Sequence, residues 1–276
     1  MAEIVAGVGV SHVPALGAAM TGDGSGPAAE VFEKFAPLRA WIEERRLDTV
    51  IVVYNDHASS FSLELMPTFV IGAAETYAPA DEGYGARDVP VAVGDVDLSW
   101  HLIDEVVPAG FDLTIAQRLD VDHGLTVPLT VLFGRPEEWP VRVVPVLVNV
   151  VQQPTPSARR CFDLGRALGR AVASFPDARR VGVIGTGGMS HQLQGRRAGH
   201  INSDFDRMFL AATVDEPGRL TGLSNLDLIR EAGSEGAELV MWLVMRGALP
   251  ERVTARHTVY HVPVSNTGAG ALALEV

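Results

Sequence analysis

Val50-Ile-Val-Val-Tyr-Asn-Asp-His-Ala-Ser-Ser-Phe61 joins an apolar, β-branched run to three polar side chains able to bind ligands. A run such as Val50 to Val53 has the character of a strand buried on both faces, as central parallel strands are. In open α/β sheets, ligands bind outside the carboxyl ends of such strands. Asn55, Asp56 and His57 stand at that end, so the stretch predicts both a central strand and the edge of a site.

Upstream, Glu3 to Val10 predicts a first strand that also ends in a histidine, Ser11-His12, before Pro14 is expected to stop regular structure. Pro27 to Arg46 places Val31, Phe32, Phe35, Leu38 and Ile42 on one helical face, with Pro37 a kink or break. That helix would carry the first strand to a parallel neighbour at Val50. Downstream, Pro67 to Gly72 predicts a short strand, and the Gly-, Pro- and Asp-rich Glu75 to Gly94 a surface excursion. Asp95 or Asp97 can cap a helix through Val107, Asp112 to Gln117 looks extended, and Asp120-Val-Asp-His-Gly124 is a polar cluster. There His123 suits a backbone-bonded turn as well as a site.

Val141 to Val151 predicts another buried strand, Thr155-Pro156 a helix start, and Ser157 to Phe175 the helix. The strand Val181 to Ile184 runs into the glycine-rich Gly185 to Gly195. Helical patterns follow at Ser203 to Ala212, Leu223 to Ala232 and Ser234 to Leu249, then a strand from Thr258 to Val264 ending in Ser265-Asn266. With no repeat or linker, residues 1–276 are expected to form a single domain. The fold class is α/β, a central, largely parallel or mixed sheet flanked by helices.

Composition excludes several functions. The apolar fraction of 47% suffices for a core, and a net charge of −12 opposes binding to nucleic-acid phosphates. The arginine pairs Arg159-Arg160, Arg179-Arg180 and Arg196-Arg197 read as solvated helix ends and loops. Cys161 stands alone, so it forms no intrachain disulfide, which suits a reducing cytoplasm. The N-terminus shows no secretory signal, and the longest apolar stretches fall short of a bilayer span. Lys34 is the only lysine and pairs with Glu30 at helical spacing, which leaves none for a phosphate loop or a Schiff base.

Gly185-x-Gly187-x-x-Ser190 lacks the third glycine of a dinucleotide fingerprint, and the GxSxG elbow of serine hydrolases is absent. A structural zinc site fails for want of cysteines. What remains is a metal site of histidine and carboxylate. His12 and His57 are expected at the ends of neighbouring strands, and Glu238 opens the very apolar helix Leu239 to Met245, where an unpaired charge is costly. Each alone has an ordinary structural reading: a hydrogen-bonded histidine, or a glutamate in a first helical turn. Two histidines and one carboxylate leave metal positions open, as in non-haem Fe(II) oxygenases. Spacing does not select this trio, because its members lie far apart in the chain.

Seven stretches, in order, carry a family resemblance: Ser11 to Gly17, Val53 to Ser59, Ala80 to Gly83, Asp120 to Gly124, Gly185 to Gly195, Gly233 to Trp242 and Ser265-Asn266. In these the chain resembles the LigB-type (class III) extradiol ring-cleavage dioxygenases, of the protocatechuate 4,5-dioxygenase β-subunit type, over nearly its whole length. The resemblance implies a LigB-like fold and an Fe(II) cofactor ligated by His12, His57 and Glu238. It further implies His191 as catalytic acid/base, His123 in the pocket, and Ser265 and Asn266 on the substrate carboxylate. The implied reaction is extradiol cleavage of a carboxylated catechol with O₂, protocatechuate first, with gallate or methylgallate as the alternative. A catalytically silent scaffold and a metal-dependent hydrolase are the other readings. Because the chain ends at Val276, a small α subunit in an (αβ)₂ assembly is expected to cover the site, or else a homodimer whose pocket is open to solvent.

Overall fold

The computed structural model describes residues 1–21, 29–262 and 267–276. The first half contains β1 (Glu3–Val10), α1 (Pro14–Thr21), α2 (Ala29–Arg45), β2 (Thr49–Tyr54), β3 (Phe69–Gly72), β4 (Thr76–Tyr77), β5 (Ala92–Val93), α3 (Val96–Val106), β6 (Thr114–Ala116) and α4 (His123–Phe133). The second contains β7 (Arg142–Val148), α5 (Ala158–Ser174), β8 (Arg180–Thr186), α6 (Ser203–Asp215), α7 (Pro217–Leu220), α8 (Asn225–Ala232), α9 (Leu239–Ala248), β9 (Thr254–His261) and β10 (Ala269–Glu275). A 3-10 turn over Glu235–Glu238 leads into α9.

Eight strands form one mixed sheet in the order β6-β3-β7-β2-β8-β1-β10-β9. Its centre, β7-β2-β8-β1, is parallel throughout, so these strands end on the same side of the sheet. All six residues of β2 are buried, which is why its sequence is continuously apolar rather than alternating. Helices α3, α5 and α9 pack on one face, and α1, α2 and α4 on the other. No helix among the described residues is long and apolar enough to cross a membrane.

Strands β1 and β2 are not neighbours. Both pair in parallel with β8, which lies between them. The α2 crossover therefore skips one strand position, and a segment from much later in the chain fills it. This places the glycine-rich loop after β8 between the two histidine-bearing strand ends.

Local readings needed other corrections. Pro14 opens α1 instead of ending structure, since the first helical position needs no N–H. Pro37 sits inside α2, which runs unbroken from Ala29 to Arg45. Asp122 caps α4 through Gly124 N–H, so His123 is the first residue of a helix and not a turn residue. Ser157, not Thr155, caps α5 by accepting from Arg160 N–H. Strand β10 was missed because its small residues resemble a loop.

Helix α9 approaches the sheet unusually closely because glycines line its bed. A Cβ on Gly9 would enter the Trp242 ring, and one on Gly185 would meet Met241 O at 2.7 Å and Trp242 Cα at 2.8 Å. Gly165 of α5 lies against the Val244 carbonyl in the same way. Every residue of α9 is buried, so its position is fixed by packing from two sides.

Candidate active site

The carboxyl ends of β1, β2 and β8 and the start of α9 surround a cavity of about 450 Å³, lined by His12, His57, His123, His191 and Glu238. Val13, Pro14, Ala15, Leu193, Glu235 and Thr267 complete its wall. Glu238 is only 6% exposed, and its two oxygens reach the histidines: Oε2 is 3.2 Å from His12 Nε2, and Oε1 is 3.8 Å from His57 Nε2. His191 Nε2 also lies 3.8 Å from Glu238 Oε2. Gly188 N–H donates to that oxygen at 2.7 Å, tying the carboxylate to the glycine-rich loop. Gly187 has φ of 122° and would press a Cβ on Glu238, so the loop's close approach requires glycine there.

The hydrogen bonds fix which nitrogen of three rings carries the proton. His57 Nδ1 lies 3.0 Å from Asp122 Oδ2, and a carboxylate only accepts, so Nδ1 is protonated, while Nε2 faces the site 3.1 Å from the Asn55 amide nitrogen. His191 donates Nδ1–H to the Met189 carbonyl at 2.8 Å, with the same result. His123 places Nδ1 on Glu82 Oε2. His12 Nδ1 is 3.1 Å from the Thr186 hydroxyl, which leaves its Nε2 toward Glu238. The rings of His57 and His123 stack at 3.9 Å between centroids, and His12 meets both edge-on.

Charge is divided unevenly among these groups. Burial opposes a proton on His57, but Asp122 and Glu238 outweigh it and push the pKa up to about 10. His12, more deeply buried, is pushed down. Burial also opposes ionisation of Glu238, yet His12, His57 and His191 hold its carboxyl well below the usual range.

His12, His57, Glu238, His191 and His123, expected from the sequence, come together in this one cavity. Ser265 and Asn266 lie outside the described residues. The sequence reading gave no role to Glu82, Asp122, Thr186 or Asp206. Glu82 and Asp122 fell within stretches that carried the resemblance, but their task depends on contacts between distant segments. Asp206, fully buried, accepts from Ser190 N–H at 2.8 Å, Ser190 Oγ at 2.6 Å and Tyr260 Oη at 2.8 Å, anchoring the loop beside His191.

The donor set fits a divalent metal. Nitrogens of His12, His57 and His123 lie within 4.8 Å of one another, and Glu238 has no lysine or arginine partner among the described residues. Imidazole and carboxylate ligands suit first-row metals such as iron.

A model of the family described as the catalytic LigB subunit of aromatic ring-opening dioxygenase matches residues 6–271. The chain belongs to this LigB family. It is 41% identical to a gallate dioxygenase of Pseudomonas putida over 196 residues, covering 71% of this chain and 57% of that protein. Thus the chain spans little more than half the length of that relative. A 2,3-dihydroxyphenylpropionate/2,3-dihydroxicinnamic acid 1,2-dioxygenase of Burkholderia vietnamiensis is 34% identical over 248 residues, covering 73% of this chain and 75% of that one. The fold matches an uncharacterized Escherichia coli K12 protein with a TM-score of 0.61 and 16% identity, over 98% of this chain and 99% of the other.

Proposed function

We propose that residues 1–276 form a single catalytic domain that opens the ring of a carboxylated catechol beside its hydroxyl pair, using Fe(II) held by His12, His57 and Glu238. The observation that carries this reading is the convergence of His12 Nε2, His57 Nε2 and the buried Glu238 carboxylate on one cavity wall. Bound there, Fe(II) supplies a Lewis acid for the diol and a redox centre for O₂. Protocatechuate, cleaved at its 4,5 bond, is the substrate that the sequence resemblance favours. Gallate, which adds one hydroxyl, is supported by the 41% identical relative.

The chain's own groups then have distinct tasks. His191, its Nδ1–H held by Met189, presents Nε2 to take a proton from the second hydroxyl and later return it. His123 lines the same cavity and contacts the ring or its hydroxyls. Ser265 and Asn266 are assigned to the substrate carboxylate. Leu193, 60% exposed, borders the cavity, and Tyr84, 75% exposed, bonds to the Glu82 carboxylate beside it. Such apolar exposure supports closure by a small α subunit in an (αβ)₂ assembly or by a second copy of the chain. The reduced state of Cys161 and of Fe(II) suits the cytoplasm.

The test is anaerobic reconstitution with Fe(II), followed by O₂ uptake and product absorbance with protocatechuate, gallate, a methylgallate and 2,3-dihydroxyphenylpropionate. O₂ consumption equimolar with a ring-opened product is expected for a carboxylated catechol. Full iron loading without O₂ uptake on any member, with and without a small subunit, would favour a silent scaffold. Turnover without O₂ would favour a hydrolase.

A further inference from the structure

Glu82 comes from the excursion between β4 and β5, some forty residues ahead of the helix it touches. Asp81 shapes its approach by accepting from Gly83 N–H at 2.9 Å and Gly85 N–H at 2.8 Å. Both glycines have φ of 92°, which other residues rarely adopt. Backbone bonds from Val121 N–H to Ala78 O and from Ala80 N–H to Val121 O staple this loop beside Asp122. The Glu82 side chain is thereby brought under cover, only 8% exposed.

Its two oxygens serve one residue. Oε1 accepts the His123 backbone N–H at 3.0 Å, and Oε2 accepts the ring Nδ1–H. Asp122 holds His57 by the same pair of donors, backbone and ring, so two adjacent histidines are clamped by two separate carboxylates. One clamp serves a proposed iron ligand. The other serves a ring stacked on it at 3.9 Å that lines the cavity.

We propose that Glu82 is a positioning residue for ring cleavage: it keeps the His123 proton on Nδ1, so that Nε2 is the ring's free nitrogen and accepts a hydrogen bond from a catechol hydroxyl in the cavity. Its kinetic consequence rests on the ring-cleavage reading, whereas the placement of the proton does not. Tyr84 Oη, 3.3 Å from Oε2, adds a third donor to the carboxylate.

Glu82→Gln tests this directly, because an amide offers one acceptor where His123 presents two donors. With its oxygen on the backbone N–H, its NH₂ faces Nδ1 and moves the ring proton to Nε2. In ¹⁵N-histidine-labelled, metal-free protein, long-range ¹H–¹⁵N spectra should show His123 as the Nδ1–H form in the parent and as the Nε2–H form in E82Q. In the iron-loaded enzyme, kcat/KM should fall about 10- to 100-fold at unchanged iron content. Glu82→Asp, which keeps two acceptors, should recover part of that loss. In a His123→Ala background, Glu82→Gln should have no further effect.

An unchanged His123 tautomer in E82Q, or an equal loss in the His123→Ala background, would overturn the proposal. If E82Q misfolds by circular dichroism, the parent spectrum and E82D decide: an Nε2–H ring in either contradicts it. If the tautomer shifts as expected but no catechol consumes O₂, the ring-cleavage reading fails and the role of Glu82 in fixing His123 stands.

Discussion

Asp122 Oδ2 accepts both the backbone N–H of His57, at 2.6 Å, and its ring Nδ1–H, at 3.0 Å. One oxygen therefore sets the peptide and the imidazole of the same residue. Asn at this position still caps α4, because Asn and Asp are comparable caps. It no longer holds the ring as a charged acceptor, so Asp122→Asn should weaken Fe(II) binding about 10- to 100-fold. Competition with a chelator measures this, and equal affinity in parent and variant would remove Asp122 from the metal site.

His191→Ala should separate chemistry from metal binding. Because His191 is assigned to proton transfer and not to the metal, turnover should fall about 10²- to 10⁴-fold while iron content holds. Metal analysis alongside O₂-electrode rates gives both readouts. Parent-level turnover at full iron occupancy would show that the acid/base role is misassigned.

Asp206 predicts a pH signature in stability. Burial holds its carboxyl above the usual value despite donors from Ser190 and Tyr260. The native state therefore keeps this proton at a pH where the unfolded chain has lost it. The ionised, buried group costs stability at neutral pH, and the cost disappears as pH falls through the raised pKa toward the ordinary one. Asp206→Asn cannot titrate, so going from about pH 7 down to the ordinary aspartate range, about pH 4, should shift the stability difference in favour of the parent. Denaturant unfolding at both pH values measures it, and a constant difference would rule this out.

Gly185→Ala should loosen the link between sheet and metal site. Its Cβ would meet the backbone of Met241 and Trp242, which cannot rotate away. A loss of about 1–3 kcal/mol is expected from such overpacking, with weaker Fe(II) binding as α9 shifts Glu238. Unfolding and metal titration should move together, and a stable variant with reduced metal affinity alone would argue against coupling through packing.

The sequence made the central strands legible because β2 and β8 are buried runs, and it made His12 and His57 visible because both follow such runs. It could not show that β8 separates β1 from β2, since strand order depends on pairing between segments more than a hundred residues apart. Helix α4 was hidden by Pro128 and by β-branched residues, which weaken a helical pattern that tertiary burial nevertheless supports. Glu238 drew attention as a charge before an apolar helix. Its partners and the clamps on His57 and His123 are properties of the folded chain, and no periodicity encodes them.

The glycine-lined bed of α9 also sets how the protein can move. A helix seated between the sheet and α5, with every residue buried, has no shallow opening available to it. Its amide hydrogens should exchange with solvent only when the whole molecule unfolds. The carboxylate end of the site would then stay as rigid as the core, leaving any adjustment during substrate entry and product departure to the loops across the cavity.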